Sequence, residues 1–248
     1  MGLVLLPRPW PMQPPPGARL YEAAIARGLV CGYRFQERGG SNPPPYSLGG
    51  DRPRRLSVNY AGGSPATPEQ NFWAFPDGYS SVGGSTTGAF GIQSPSGPGL
   101  VGDLSIVTLL RFGSTAVERV ICGQYDGANF LFAAGRNTNG NLFWYQGFFT
   151  KTEWSFDPGT SEFVHLGFVR TGTSVRLMAN GAFNSAITPS GTIGSGTPSI
   201  YIGHEGSSSN DRIFAGQMRY IFVWNRALED EEVMWHYENQ ALLLPWMP

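Results

Sequence analysis

Between Leu104 and Gly203 the chain is a series of short apolar runs rich in β-branched and aromatic residues: "LSIVTLLRF", "AVERVICGQY", "NFLFAAG", "NLFWYQGFF", "EFVHLGFVR", "SVRLMANGAF" and "SIYIG". No helix-length segment lies between them. Strands in series without crossover helices build antiparallel sheets packed face to face rather than βαβ units. "NTNGN", "RTGTS" and "NGAF" are turn signals, and the first and third suit tight hairpins. The run from Ile106 to Phe112 is almost continuously apolar, as in a strand covered on both faces. Upstream, "LVCGYRF" places Leu29, Cys31, Tyr33 and Phe35 on one face, and "RLSVNY", "NFWAF" and "GAFGI" add strands between loops. The expected fold class is all-β: a two-sheet antiparallel β-sandwich, or jelly roll, over residues 29–240.

Composition agrees with that expectation. Charged residues make up 14% of the chain, against roughly 25% in typical soluble domains, while 34 Gly and 20 Pro supply many turns. Net charge is −1, so bulk electrostatics points to neither nucleic acid nor a membrane surface as partner. No stretch reaches the roughly 20 apolar residues of a spanning helix. "MGLVLLPRPWP" is too short an apolar run for an export signal, and Pro7 interrupts it. Cys31 and Cys122 each lie in a strand-like run and are expected as buried thiols.

Residues 1–28 read as a separate Pro-rich arm, with Pro7, Pro9, Pro11, Pro14, Pro15 and Pro16 favouring an extended conformation. "ARLYEAAIARG" could close it as a short helix with Gly28 after its end. Eight Arg against Glu22, Glu37 and Asp51 make residues 1–60 basic, and the remainder is acidic. An arm of this kind loses little entropy on docking, and Arg8, Trp10, Met12 and Arg19 are the residues expected to grip a neighbouring subunit.

Near the C-terminus, Glu229, Asp230, Glu231 and Glu232 stand together. Consecutive acids cannot form the opposed pair that glycoside hydrolysis needs. They can start a helix. With Glu229 as N-cap, Glu232 reaches back to the N-cap amide, and Leu228 and Val233 form a hydrophobic staple. Negative charge also suits the positive end of the helix dipole. Val233, Tyr237 and Ala241 would be the buried stripe. Before the helix, "FAGQMRYIFVW" places Phe214, Met218, Tyr220, Phe222 and Trp224 on one strand face. Residues 241–248 form a tail.

The stretch "SIYIGHEG…RIFAGQMRYIFVWNRALEDEEV" resembles the closing segment of laminin-G-like, concanavalin-A-like jelly-roll domains, through Ile202, Gly203, Phe214, Gly216, Asn225 to Leu228 and Glu232. "GLVCGYRFQERGG" resembles the family's opening strand, and "FVHLGFVRTGTSVRLMANGAF" its central hairpin, with Phe163 in place of the usual Trp. The resemblance spans about Gly28 to Asn239. It implies a binding fold whose members take glycans, proteins or calcium, with glucan hydrolases as distant cousins. Glu229 replaces the usual Ser or Asp cap, and Arg219 stands where an acid is frequent. The E-x-D-x-x-E-like strand motif of the hydrolases is absent from this sequence.

Candidate sites follow from residue chemistry. His204, Glu205, Asn210 and Asp211 make one loop oxygen-rich enough for calcium, and equally an ordinary mobile loop. Trp144, Tyr145, Phe148, Phe149 and Trp154 could line a glycan groove, or fill the core of the sandwich. Among these, Trp144, Tyr145 and Trp154 are the ligand-binding candidates. His165 reads as a hydrogen-bonded strand residue. No catalytic residues and no obligate cofactor are expected. "ENQALLLPWMP" looks like the tail of phage-encoded relatives. The expected role is a non-enzymatic virion protein, a capsid decoration or tail-associated adhesin, assembled in the host cytoplasm and released by lysis rather than exported. Its partners would be other virion proteins, copies of itself, or host-surface glycans. A stand-alone lectin is the alternative, and a glycoside hydrolase a more distant one.

Overall fold

Each hairpin signal in the sequence is matched by a reversal of the chain. In the computed structural model, β8 (Phe130–Arg136) turns into β9 (Leu142–Gly147) through Asn137–Asn141, with Gly140 at φ 93°. β11 (Val164–Thr171) turns into β12 (Ser174–Ala179) at Gly172, and β12 into β13 (Ala182–Phe183) at Asn180 and Gly181. Asn180 and Gly181 have φ 47° and 81°, the left-handed pair that a two-residue hairpin requires. The structure describes residues 27–34, 57–59, 67–69, 72–75, 91–93, 100–113, 118–148, 150–198, 200–203, 205, 212 and 214–240. The arm residues Arg8, Trp10, Met12 and Arg19, its expected helix, and the tail 241–248 lie outside these.

The remaining strands are β1 (Leu29–Arg34), β2 (Ser57–Asn59), β3 (Thr67–Glu69), β4 (Phe72–Phe75), β5 (Gly91–Gln93), β6 (Leu104–Phe112), β7 (Arg119–Tyr125), β10 (Thr150–Trp154), β14 (Tyr201–Ile202) and β15 (Gly216–Trp224). Among the described residues they form two sheets. The first runs β13-β12-β11-β6-β15-β4-β3, with β1 also beside β15, and the second runs β10-β9-β8-β7-β14-β5-β2. All pairings are antiparallel, as the two-sheet sandwich requires.

The core between the sheets takes alternate residues: Ile106, Leu110 and Phe112 of β6, Leu166 and Phe168 of β11, Ile221 and Val223 of β15, and Phe132, Trp144 and Ile202 from the second sheet. Cys122 is a buried thiol in this layer, and the Cys31 side chain lies outside the described residues. Arg170 is fully buried and donates to the carbonyls of Gly102 and Leu131, each at 2.8 Å, and to that of Leu100. One side chain thus ties the segment before β6 to the start of β8. Burial pushes its pKa down to about 10, so it remains a cation at neutral pH.

One helix, α1 (Asp230–Glu238), covers the outer face of the first sheet. The acidic quartet starts it as expected. The Glu229 amide donates to the Glu232 carboxylate at 2.9 Å, and Leu228 and Val233 are both buried. Arg226 grips Glu232 through two bonds of 2.6 and 2.7 Å and donates to the Arg27 carbonyl at 2.8 Å. This arginine ties the first strand to the start of the last element. Val233 sits so close to β11 that a Cβ on Gly167 would lie 2.5 Å from it.

Three expectations are corrected on this face. Met218 and Phe214 belong to the core between the sheets, whereas Tyr220, Phe222 and Trp224 face the helix. The reason is a register shift: Met218 pairs with Leu110 and Tyr220 with Leu109, so Arg219 is an inserted residue that flips the alternation. The buried helix stripe is Val233 with His236, while Tyr237 is only partly covered and Ala241 lies beyond the described helix. His165 is fully buried, and neither of its ring nitrogens has a hydrogen-bond partner. Its backbone is held instead: the amide donates to the Asn180 side chain and the carbonyl accepts from the Asn180 amide, each at 2.9 Å. Among the described residues no helix is long and apolar enough to cross a membrane.

Candidate functional site

The outer face of the second sheet is built differently. Residues that alternate away from the core on β7, β8 and β9 form a compact floor of Val120, Phe130, Ala133, Phe143 and Tyr145. Phe130 and Tyr145 stack with centroids 5.4 Å apart, and Phe143 meets Tyr145 edge-on at 4.9 Å. Gly135 leaves room for this packing, since a Cβ there would lie 2.6 Å from the Phe143 ring and 2.2 Å from the Arg119 carbonyl.

A layer of charge lies on the floor. The Arg212 guanidinium carbon sits 5.2 Å from the Tyr145 centroid, and Lys151 Nζ 5.8 Å from that of Phe143. Tyr145 donates its hydroxyl to Glu118 at 2.8 Å. Glu118 also pairs with Lys151 at 2.5 Å and with Arg212 Nε at 3.1 Å. Arg212 reaches Glu205 at 3.0 Å, and Lys151 reaches Glu153 at 2.9 Å. Gly123 lets the Glu205 backbone settle on β7, because a Cβ there would lie 3.0 Å from Glu205 Cα.

The titration behaviour of these groups follows from the pairing. Burial alone would lower the Lys151 pKa, yet the bonds to Glu118 and Glu153 raise it above its ordinary value. Burial would raise Glu153, and Lys151 with Asn137 brings it below. Burial would lower Arg212, and Glu205 raises it. The Tyr145 hydroxyl is pushed up, by burial first and by donating to Glu118 second. Each carboxylate of the layer is held by a cation. Such a layer offers fixed donors and acceptors to a polar ligand. A general acid needs a carboxyl that keeps its proton, and Glu153, held below its ordinary value, does not.

The sequence-derived candidates fall in three places. Trp144 and Trp154 are buried between the sheets, each within 6.4 Å of Phe168, so neither ring has a face for a sugar. Trp154 donates its indole N–H to the Ser185 carbonyl at 3.0 Å. Tyr145 is in the floor and only 4% exposed, so its ring has no open face for a sugar. Burial decides for core packing over the open aromatic groove. Phe148, on the turn between β9 and β10, is 73% exposed, and the Phe149 side chain lies outside the described residues. Of the calcium candidates, Glu205 is buried against Arg212, while His204, Asn210 and Asp211 lie outside the described residues. Among the described residues no three His, Cys, Asp or Glu side chains gather as a metal site. Glu118, Lys151 and Arg212 were not singled out in the sequence; three charges far apart in the chain carry no spacing signal.

Comparison with known proteins agrees with the architecture. A laminin-G family model described as the concanavalin A-like lectin/glucanases superfamily matches residues 87–234. No curated protein sequence matches the chain. Among solved structures, Trypanosoma rangeli sialidase in complex with 2,3-difluoro-KDN aligns at TM-score 0.62 and 13% identity, over 89% of this chain and 34% of that one. Domain 4 of AbnA, an extracellular GH43 arabinanase from Geobacillus stearothermophilus in complex with arabinotriose, aligns at TM-score 0.56 and 16% identity, over 83% of this chain and 96% of that one. The receptor binding domain of botulinum neurotoxin C/D mosaic serotype aligns at TM-score 0.60 and 13% identity, over 88% and 52%. The chain spans about a third of the sialidase structures it resembles. At these identities the likeness is one of fold.

Proposed function

The chain belongs to the concanavalin A-like lectin/glucanases superfamily, and from that premise we propose that it is a non-enzymatic binding module that takes glycans on the outer face of its second sheet while carried on a phage particle. The observation that carries the glycan half is the layer of Glu118, Lys151, Glu153 and Arg212, with the exposed ring of Phe148 on the turn that joins β9 to β10. Sugars present hydroxyls in the plane of the ring and C–H groups above it. Paired carboxylates and guanidinium groups match the first, and an exposed aromatic face matches the second. The fold of the arabinotriose-bound domain supports the same reading by analogy alone.

Placement on a particle, as capsid decoration or tail-associated adhesin, rests on the sequence "ENQALLLPWMP" and on the proline-rich arm with Arg8, Trp10, Met12 and Arg19. The sandwich would face outward and the arm would hold a neighbouring subunit.

A glycan array of the whole chain tests the first half. At least one glycan should bind, and Phe148→Ala and Arg212→Ala should each weaken that binding about tenfold, the ~1.4 kcal/mol of one good contact. An array without hits overturns it. Mass spectrometry of purified particles tests the second half. The chain should be found in them, and deletion of residues 1–28 should remove it without unfolding the sandwich. A chain that assembles equally well without the arm overturns that part.

A further inference from the structure

Two arginines on the outer face of the first sheet are held differently from the salt-bridged ones. Arg136 meets Asp157, Arg176 meets Asp230, Arg212 meets Glu118 and Glu205, and Arg226 meets Glu232. Arg111 and Arg219 meet no carboxylate among the described residues. Both instead lie over the ring of Phe163, with guanidinium carbons 5.7 and 4.1 Å from its centroid. Both are half-buried, and Arg219 Nε is wholly buried without a hydrogen-bond partner.

The backbone is shaped around this pair. Arg111 pairs with Gln217, Leu110 with Met218 and Leu109 with Tyr220, so Arg219 is the residue inserted by the bulge in β15. Bulges re-aim side chains, and this one puts Arg219 on the face where Arg111 and Phe163 lie. The arrangement is costly. A ring face offsets part of each charge, but two like charges share that ring. Burial first, and the neighbouring Arg111 second, push the Arg219 guanidinium below its ordinary pKa. Two unpaired forks converging on one point form an incomplete ion pair whose missing member is an anion.

We propose that Arg111, Arg219 and Phe163 form a binding site for the carboxylate of an acidic sugar. Guanidinium forks bind a planar carboxylate in two-point fashion, which a lysine pair would not do. Two cations in a half-buried setting suit a single carboxylate, whereas nucleic acids are gripped by stripes that neutralise many phosphates. A sugar acid carries its carboxylate on a rigid ring with C–H groups able to rest on Phe163, so less entropy is lost than in ordering a flexible acidic peptide. The site lies on the opposite sheet from the Glu118–Arg212 layer, and either can fail while the other stands.

The test uses the full chain and nuclear magnetic resonance titration with D-glucuronate, D-glucose and tetraglutamate. Glucuronate should shift signals of residues around Phe163, and glucose should bind at least tenfold more weakly. Arg111→Gln should weaken glucuronate binding tenfold or more. Arg219→Glu should abolish it while keeping the fold, because the new carboxylate can pair with Arg111. Val101→Ala, at an exposed position in neither site, should leave it unchanged. Equal binding of glucose, tighter binding of tetraglutamate, or full affinity in a folded Arg219→Glu chain would each overturn the assignment.

Discussion

The two outer faces of the sandwich start from the same material, aromatic residues projecting away from the core, and are closed in opposite ways. On the first sheet, Tyr220, Phe222, Trp224 and Val107 are covered by α1, and burial holds His165 and His236 in that interface below their ordinary pKa. On the second, Phe130, Phe143 and Tyr145 lie under salt-bridged side chains that remain 19–31% exposed. A dry lid contributes stability through buried apolar area, whereas an ionic lid contributes little but leaves polar groups presented outward. The comparison assigns dry, stabilising burial to the helix-covered part of the first face and outward-presented polar groups to the second.

Trp224→Ala is the strongest way to break the first face. It should cost about 3–5 kcal/mol in denaturant melts, the usual loss for a fully buried aromatic. A loss no larger than that of a surface change would mean that α1 is a dispensable cover.

Acid should come next. His165 and His236 are pushed down to about 3 from 6.5, both by burial and His165 also by its neighbour. The groups facing them are Tyr220 of β15 and Tyr237 of α1 for His165, and the rings of Phe222, Trp224 and Trp235 for His236. No carboxylate among the causes of either shift would hold an imidazolium there. The unfolded chain binds these protons at higher pH than the folded one. Their contribution is therefore complete above 6.5 and is lost as pH falls from there toward 3, at about 1.4 kcal/mol per pH unit for each imidazole. His236→Phe should halve that slope over about two pH units below the ordinary histidine value. The ionic face behaves differently. Glu153 loses its contribution only as pH falls below its ordinary 4.5, and Lys151 loses its own only as pH rises through its elevated value. Stability measured against pH separates the two lids.

Gly181→Ala should cost about 1–2 kcal/mol, because φ of 81° suits glycine and a Cβ would press on Tyr237 at 2.6 Å. The smallest effect belongs to Glu118→Gln. It should cost less than about 1 kcal/mol, and the difference should shrink further in molar salt, yet it should weaken any glycan held by the second face. A large loss of stability from this substitution would erase the contrast between the lids.

Local rules made much of this fold readable. Hairpins followed from Asn-Gly and neighbouring turn residues, and the helix start from four acids with Leu228 and Val233 around them. The faces of the aromatics were not readable in the same way. In a half-buried sheet the polar residues mark the outside. Here both faces of β6, β8, β9 and β15 are buried, so alternation carries no polar label. Trp144 and Tyr145 are neighbours in sequence, and one fills the core while the other floors the candidate site. The same lack of a label hid the bulge at Arg219, although that residue already stood out as a cation where an acid is frequent.

The sequence by itself determined the strands, their turns and the closing helix, because these depend on interactions within a few residues of chain. The tertiary structure decided which side of each sheet an aromatic serves, and it alone brought Glu118, Lys151, Glu205 and Arg212 together and set Arg111 beside Arg219. Those groupings depend on strand register and on one inserted residue. A shift of a single position carries a side chain to the opposite face, and no short-range pattern records it.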